Sequence, residues 1–258
     1  MALLELEEVS KFFGGLAAVS DLNFSLSDRK EILGLIGPNG AGKTTVFNLI
    51  TGLLKPSRGK IRFQGSEIGG QKPYRLCEMG IGRTFQATSL FFEETILNNM
   101  LIARHSRMKS GIWGAVAIPP STAREEREAV GQCLEILGKV GLVSKANALP
   151  HSLTNMEQRL LMIAMGLATQ PSLLLLDEPS AGMRPAESSS LMNLVGQIRE
   201  WGIKVILIEH DMKVVMNTCD RIVVLNFGRK IAEGTPEEIR AHPRVIEAYL
   251  GRRAGAGR

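Results

Sequence analysis

Cysteine is scarce. Cys77, Cys133 and Cys219 are the only three in 258 residues, far apart and without a CxxC pair, which argues against a disulfide framework or a zinc site and fits a reducing cytoplasm. Long apolar runs are also missing. Even Leu173–Leu176 stops at an acid, and nothing approaches the roughly 18 consecutive apolar residues of a membrane span. The chain is therefore not expected to cross a bilayer by itself. Met1–Leu6 is acidic at once, with no basic stretch leading into an apolar one, so a secretory signal is not expected. No repeat of 20–50 residues is visible, which sets aside solenoids and propellers. Aromatic residues make up 5% and charged residues 22% against 44% hydrophobic, the composition of an ordinary globular protein. There is no acidic excess, since the formal net charge is +5. Three arginines of that excess lie in the closing Gly251–Arg258, which holds no acid, and without them the charge falls to +2. That is too little to argue for a nucleic-acid partner.

The length allows one large domain or two small ones. Short β-type runs come first, at Leu4–Val9, Leu22–Leu26 and Glu31–Ile36, the last ending in a glycine-rich turn from which Gly42–Leu53 can continue as a helix. Lys60–Gln64 reads as a further strand. From about Pro73 to Thr169 the texture changes, with helical periodicity at Thr122–Val140 and Thr154–Ala168 and few strand candidates. Ser110–Pro120, with Trp113, reads as an apolar surface loop. Alternation then returns: Ser172–Leu176, Lys204–Ile208 and Arg221–Leu225 are apolar, and Pro185–Trp201 and Asp211–Thr218 are helical. Apolar strands alternating with helices indicate a mostly parallel sheet covered on both faces. The expectation is one α/β nucleotide-type core with an inserted helical subdomain at about 87–169, the domain covering 1–250 and a flexible basic tail following at 251–258.

Gly37-Pro38-Asn39-Gly40-Ala41-Gly42-Lys43-Thr44 matches G-x-x-x-x-G-K-[ST] between an apolar strand and a helix candidate. The glycines let successive backbone N–H groups point at phosphate oxygens, and the helix N-terminus adds its partial positive charge. Lys43 can reach the β- and γ-phosphates, the Thr44 hydroxyl can ligate Mg²⁺, and Thr45 can add a phosphate hydrogen bond. The competing explanation, a glycine-rich hairpin with a chance lysine, leaves the flanking strand and helix unexplained. Leu173-Leu174-Leu175-Leu176-Asp177-Glu178 then ends a buried strand on two acids. Asp177 can hold Mg²⁺ directly or through water, and Glu178 can polarise the water that attacks the γ-phosphate in line; a strand simply ending in solvated acids is the plainer alternative.

These motifs, in this order and around a helical insert, resemble the ATP-binding subunits of ABC transporters, and the resemblance covers nearly the whole chain. It implies the fold of that family: a P-loop core with a mixed or parallel sheet, an N-terminal antiparallel β subdomain and an inserted α-helical subdomain. It also implies ATP hydrolysis with ATP and Mg²⁺. In Lys11-Phe12-Phe13-Gly14-Gly15 the family position for stacking on adenine falls on Phe13. Arg83-Thr84-Phe85-Gln86 looks like the segment whose glutamine touches Mg²⁺ and senses the membrane partner, which nominates Gln86. Ile208-Glu209-His210-Asp211 looks like the switch segment, which places His210 at the γ-phosphate. The other histidines, His105, His151 and His242, read as surface residues.

Within the family, Phe12–Val19, Arg83–Gln86 followed by Leu90-Phe91, the long segment after His105, Gly234–Ile239 and Ala248–Gly251 resemble the ATP-binding subunit of branched-chain amino-acid importers. The implied partners are a second, different ATPase subunit, two membrane permease subunits and a solute-binding protein, with the chain held peripherally on the cytoplasmic face of the inner membrane. Phe91, Phe92 and Trp113 are candidate contacts for the permeases, against ordinary burial. Subunits for urea or short amides, for lipopolysaccharide export, or with a weakly hydrolysing regulatory role look much the same. ABC ATPases that act on nucleic acid or ribosomes usually carry two cassettes or a long coiled coil, and this chain has neither.

The family's signature, usually Leu-Ser-Gly-Gly-Gln, is represented by Leu153-Thr154-Asn155-Met156-Glu157. There it starts a helix that reaches the γ-phosphate held by the other subunit. Thr154 keeps a hydroxyl, but Met156 puts bulk where close backbone approach favours glycine. Thr154-x-x-Glu157 also reads simply as a capping box. Met165 and Arg184 stand where the family commonly has arginine and aspartate. All these departures fall on surfaces offered to the opposite nucleotide site, so the two composite sites are expected to be unequal; the alternative is that the family tolerates this segment loosely and both sites work.

Overall fold

The computed structural model of the chain describes residues 2–84, 90–104 and 120–250. Gln86, His105, Trp113 and the basic tail lie outside these residues. The chain divides into two compact units, Met1–Leu76 with Leu175–Arg258, and Cys77–Leu174.

The first unit opens with β1 (Ala2–Phe13) and β2 (Leu16–Ser27), then β3 (Ile32–Ile36), α1 (Lys43–Ile50), β4 (Arg58–Phe63), β5 (Ser66–Glu67) and α2 (Pro73–Met79), whose last turn runs into the second unit. The strands β2-β1-β4-β5 form an antiparallel sheet in that order. Leu4 and Leu6 alternate toward its buried face opposite Leu26 and Phe24. Two exposed glutamates then interrupt the alternation, and Glu8 takes a φ of +49° where the register shifts between Leu6 and Val9. The bulge turns Val9 back inward, as an extra residue in a pleated strand must.

In the second unit β6 (Ile81–Arg83) precedes α3 (Ile96–Arg104), α4 (Pro120–Lys139) and α5 (Asn155–Ala168). The helices pack on one another through Ile96, Met100, Cys133, Leu137, Leu161 and Leu167, all buried. Asn99 is fully buried among them. Its side chain accepts from the Phe91 N–H at 2.9 Å and donates to the Phe91, Glu94 and Thr95 carbonyls at 3.0, 3.2 and 2.9 Å. One buried side chain thus binds four backbone groups of the turn 91–95, while Phe91 and Phe92 stand 48% and 41% exposed.

The chain returns to the first unit along β7 (Leu173–Asp177), followed by α6 (Pro185–Glu200), β8 (Lys204–Ile208), α7 (Met212–Thr218), β9 (Arg221–Asn226), β10 (Arg229–Gly234), α8 (Pro236–Ala241) and α9 (Pro243–Leu250). Its larger sheet runs β10-β9-β3-β8-β7. β3 lies between β8 and β9, parallel to both, with Leu33 opposite Ile206 on one side and Arg221 on the other. Every residue of β3 is buried, as expected of a parallel strand covered on both faces, where each large aliphatic side chain contributes about 1.5–3 kcal/mol.

The structure adds α2, α3, α8, α9, β5, β6 and β10 to the elements read from the sequence and changes the reading of one histidine. β10, a strand with charged residues at half its positions, was not foreseen; it pairs antiparallel with β9 across Phe227-Gly228, both at positive φ (46° and 75°), the turn geometry that matches strand twist in a hairpin. His242 is half-buried rather than a surface residue, and its Nδ1 is buried without a hydrogen-bond partner among the described residues. His151 is exposed as expected. No described helix is long and apolar enough to cross a membrane.

Candidate functional site

The site grows from the end of β3. Gly37 has a φ of +153°, and a Cβ there would stand 2.2 Å from the Leu225 carbonyl oxygen; Gly42, at +101°, would put one 2.5 Å from that of Ala18. Any side chain at either position collides with backbone, so the loop can lie between β9 and β2 only as glycine. Gly42 is also the N-cap of α1, and no side chain caps the helix there. The first N–H groups of α1 are therefore left to an external acceptor, in a place where the helix dipole favours an anion.

Lys43 is 5% exposed, and its ammonium donates to the Gly37 and Pro38 carbonyls at 2.7 and 3.0 Å. Burial pushes its pKa down, while Glu178 and Asp177 act in the opposite direction. The side chain is thus folded back onto its own loop and faces two carboxylates. A phosphate group can take over both hydrogen bonds and add full charge compensation.

Asp177 closes β7, and Glu178 follows at a φ of +49°, a left-handed conformation that costs a non-glycine residue on the order of 1 kcal/mol or more. It is held there by its N–H, which donates to the Ile208 carbonyl at 2.9 Å. One carboxylate oxygen of Glu178 lies 2.6 Å from His210 Nε2, and both side chains are partly open to solvent. A carboxylate that can take a proton from water thus sits beside an imidazole that fixes its orientation. Next to His210 in the chain, Glu209 is 4% exposed and accepts from the Ser180 N–H and hydroxyl at 2.8 and 2.7 Å. Sequence reasoning passed over both Ser180 and Glu209; nothing in local spacing marks a pair 29 positions apart.

Beside the loop a cleft of about 440 Å³ is bounded by Phe13, Leu16–Ala18, Gly40–Thr45, Phe227 and Gly228. Phe13 is 46% exposed, with the Lys11 ammonium 5.2 Å from its ring centroid. The flat, solvent-facing ring at one wall and the loop amides at the other can receive a base and its phosphates. Phe227, at the tip of the β9–β10 hairpin, is a second exposed aromatic on this cleft that the sequence reading missed. Its Asn-Phe-Gly-Arg turn is the one signal that could have placed it at a hairpin tip.

The segment Thr154–Glu157 belongs to the second unit and is described by itself. Thr154 caps α5, its hydroxyl accepting from the Glu157 N–H at 3.3 Å while the Glu157 carboxylate accepts from the Thr154 N–H at 3.0 Å. Lys145 lies 2.6 Å from the other carboxylate oxygen, and this hydrogen bond, followed by the one from Thr154, holds the Glu157 pKa below its ordinary value. Asn155 is exposed, and Met156 and Met165 are half-buried. Arg184 occupies the N-cap position of α6 without a side-chain cap; its N–H donates to the Glu187 carboxylate at 3.1 Å and its exposed guanidinium pairs with the same carboxylate at 2.7 Å.

The ABC transporter family matches residues 19–181, and the family of branched-chain amino acid ATP-binding cassette transporters matches residues 229–255. The high-affinity branched-chain amino acid transport ATP-binding protein LivG of Salmonella typhimurium is 44% identical over 250 residues, covering 96% of this chain and 98% of that protein. BraF of Pseudomonas aeruginosa, of the same description, is 43% identical over 250 residues, 96% of this chain and 98% of its own. Among solved structures, an ATP-binding cassette of an ABC transporter, MJ1267, superposes with a TM-score of 0.85 at 31% identity, covering 97% of this chain and all of that one.

Proposed function

Because the chain belongs to the ABC transporter family of ATP-binding proteins, we propose that it is the ATP-hydrolysing subunit of an importer of branched-chain amino acids. The observation that carries the hydrolytic part is the Glu178–His210 pair in the same unit as the uncapped start of α1 and the retracted Lys43. The solute is supported by the relatives' description and by the match over residues 229–255.

In this reading Phe13 stacks on adenine. The amides of Gly37–Thr45 wrap the phosphates, and Lys43 leaves the Gly37 and Pro38 carbonyls for the β- and γ-phosphate oxygens. Glu178 takes the proton of the attacking water, and His210 orients Glu178 and contacts the γ-phosphate. The Thr44 hydroxyl and the Asp177 carboxylate are hard-oxygen donors of the kind Mg²⁺ takes and would hold it, and the family resemblance adds Gln86, which lies outside the described residues. The two carboxylates beside Lys43 fit a site built to carry further positive charge. Bound there, Mg²⁺ would supply charge neutralisation at the phosphates.

Residues 1–250 act as one cassette with a helical subdomain at about 87–169. It pairs with a second ATPase subunit and works at the cytoplasmic face of the inner membrane on two permease subunits fed by a solute-binding protein. Exposed Phe91 and Phe92, on a turn fixed by buried Asn99, suit a permease contact. Glu178→Gln in the purified transport complex should lower hydrolysis at least ~100-fold and leave ATP binding intact; unchanged hydrolysis would count against the reading. A finer proposal comes from the signature segment. Met156 and the self-satisfied cap at Thr154 favour a chain that completes its partner's site poorly, so the two composite sites differ. Single-turnover hydrolysis with each subunit's glutamate inactivated in turn tests this, and equal loss from both variants would overturn it.

A further inference from the structure

An acid that ends an apolar strand usually escapes into water; Glu209 does not. It follows β8 at 4% exposure, and among the described residues no lysine, arginine or histidine forms an ion pair with it. A carboxylate in that position is costly unless hydrogen bonds compensate it. One of its oxygens takes two, from the N–H and the hydroxyl of Ser180, and bonds to an ionised acceptor are the strong kind.

Their placement gives them a purpose. Ser180 is two residues beyond Glu178, and Glu209 is next to His210. Two further bonds join the same short segments: the Glu178 N–H to the Ile208 carbonyl at 2.9 Å, and Glu178 Oε1 to His210 Nε2 at 2.6 Å. Glu178 therefore has a fixed point on each side of it, and its left-handed backbone is held from both. The Glu209–Ser180 bonds are buried, while the Glu178 and His210 side chains stay partly exposed.

We propose that Glu209 is a positioning residue for hydrolysis: its two bonds to Ser180 lock the 178–180 segment to the 208–210 segment and so set the distance and orientation of Glu178 relative to His210. Glu209 itself touches no nucleotide. The inference rests on the hydrolytic reading given above.

The test uses the full chain in its reconstituted transport complex, with kcat, KM for ATP and binding of a fluorescent ATP analogue measured together. Glu209→Ala should lower kcat about 20-fold or more with KM within about twofold, because positioning acts in the transition state more than in ground-state binding. Glu209→Gln, whose amide oxygen can accept from both Ser180 donors, should return kcat to within about threefold of the parent, and Ser180→Ala, which deletes one of the two bonds, should lower it about three- to fivefold. An unchanged kcat in Glu209→Ala, a KM that rises as kcat falls, or a Gln variant no better than Ala would overturn the proposal. If Glu209→Ala fails to fold, seen as lost analogue binding, Ser180→Ala decides, and full activity there overturns it. If Glu178→Gln hydrolyses ATP like the parent, it is the hydrolytic reading that fails.

Discussion

Two helix starts in this chain, at Gly42 and at Thr154, are opposite in construction. α1 begins at Gly42 with no side-chain cap, its first amides left without a partner of their own. α5 begins at Thr154 with a reciprocal capping box, and Lys145 neutralises the glutamate that closes it. The first start is unfinished until an anion arrives; the second is complete without one. A helix start can serve as a phosphate seat or as a finished stability element, and the same amides cannot fully do both.

The comparison can be broken most severely at Lys43. Lys43→Ala should leave the fold intact and lower ATP hydrolysis at least ~100-fold, with weaker ATP binding, since the missing cation belongs to the open start. Hydrolysis near the parental level would show that α1 is not the seat. A smaller effect is expected at the closed start. Thr154→Ala should cost about 1 kcal/mol in urea unfolding, and Thr154→Ser less than about 0.5 kcal/mol, because serine caps as well as threonine; equal losses would mean that the hydroxyl's cap is not what matters.

The smallest effect is on pH dependence. The folded pKa of Glu157 is lowered by Lys145 and by the Thr154 N–H, so its contribution is fully present above its unfolded pKa, near 4.5, and is lost as pH falls through the lower folded value. The pair is partly exposed, so the effect is on the order of 0.5 kcal/mol. Comparing parent and Glu157→Gln between pH 3 and 7 should show the parent's advantage fading toward the acid end. A constant difference would assign it to packing.

What could be read from the sequence was what is contiguous. Strand, loop and helix around Lys43 announce themselves within the stretch Ile32–Ile50, as does Thr154-x-x-Glu157, because both depend on backbone geometry that a short peptide already determines. The buried acid Glu209 was invisible for the opposite reason: its partner Ser180 comes from another strand end, and periodicity records only that an apolar run stops. β10 was missed because its alternation is weak, with Ala232 as its one buried residue; pairing with β9 makes it a strand, not propensity. Asn99 carries no mark in the sequence, and only the folded turn 91–95 shows what it holds.

The strand order of the larger sheet also bears on how this protein is born. β3, which carries the phosphate loop, has both lateral neighbours, β8 and β9, encoded about 170 or more residues downstream. During synthesis the ribosome releases the loop early, on a wholly apolar strand with two open edges, and the strands that close those edges leave last. Such edges invite pairing with other chains. Until the final quarter of the chain has emerged, the nucleotide motif is therefore an aggregation hazard, and a chaperone or rapid completion of the chain must guard it.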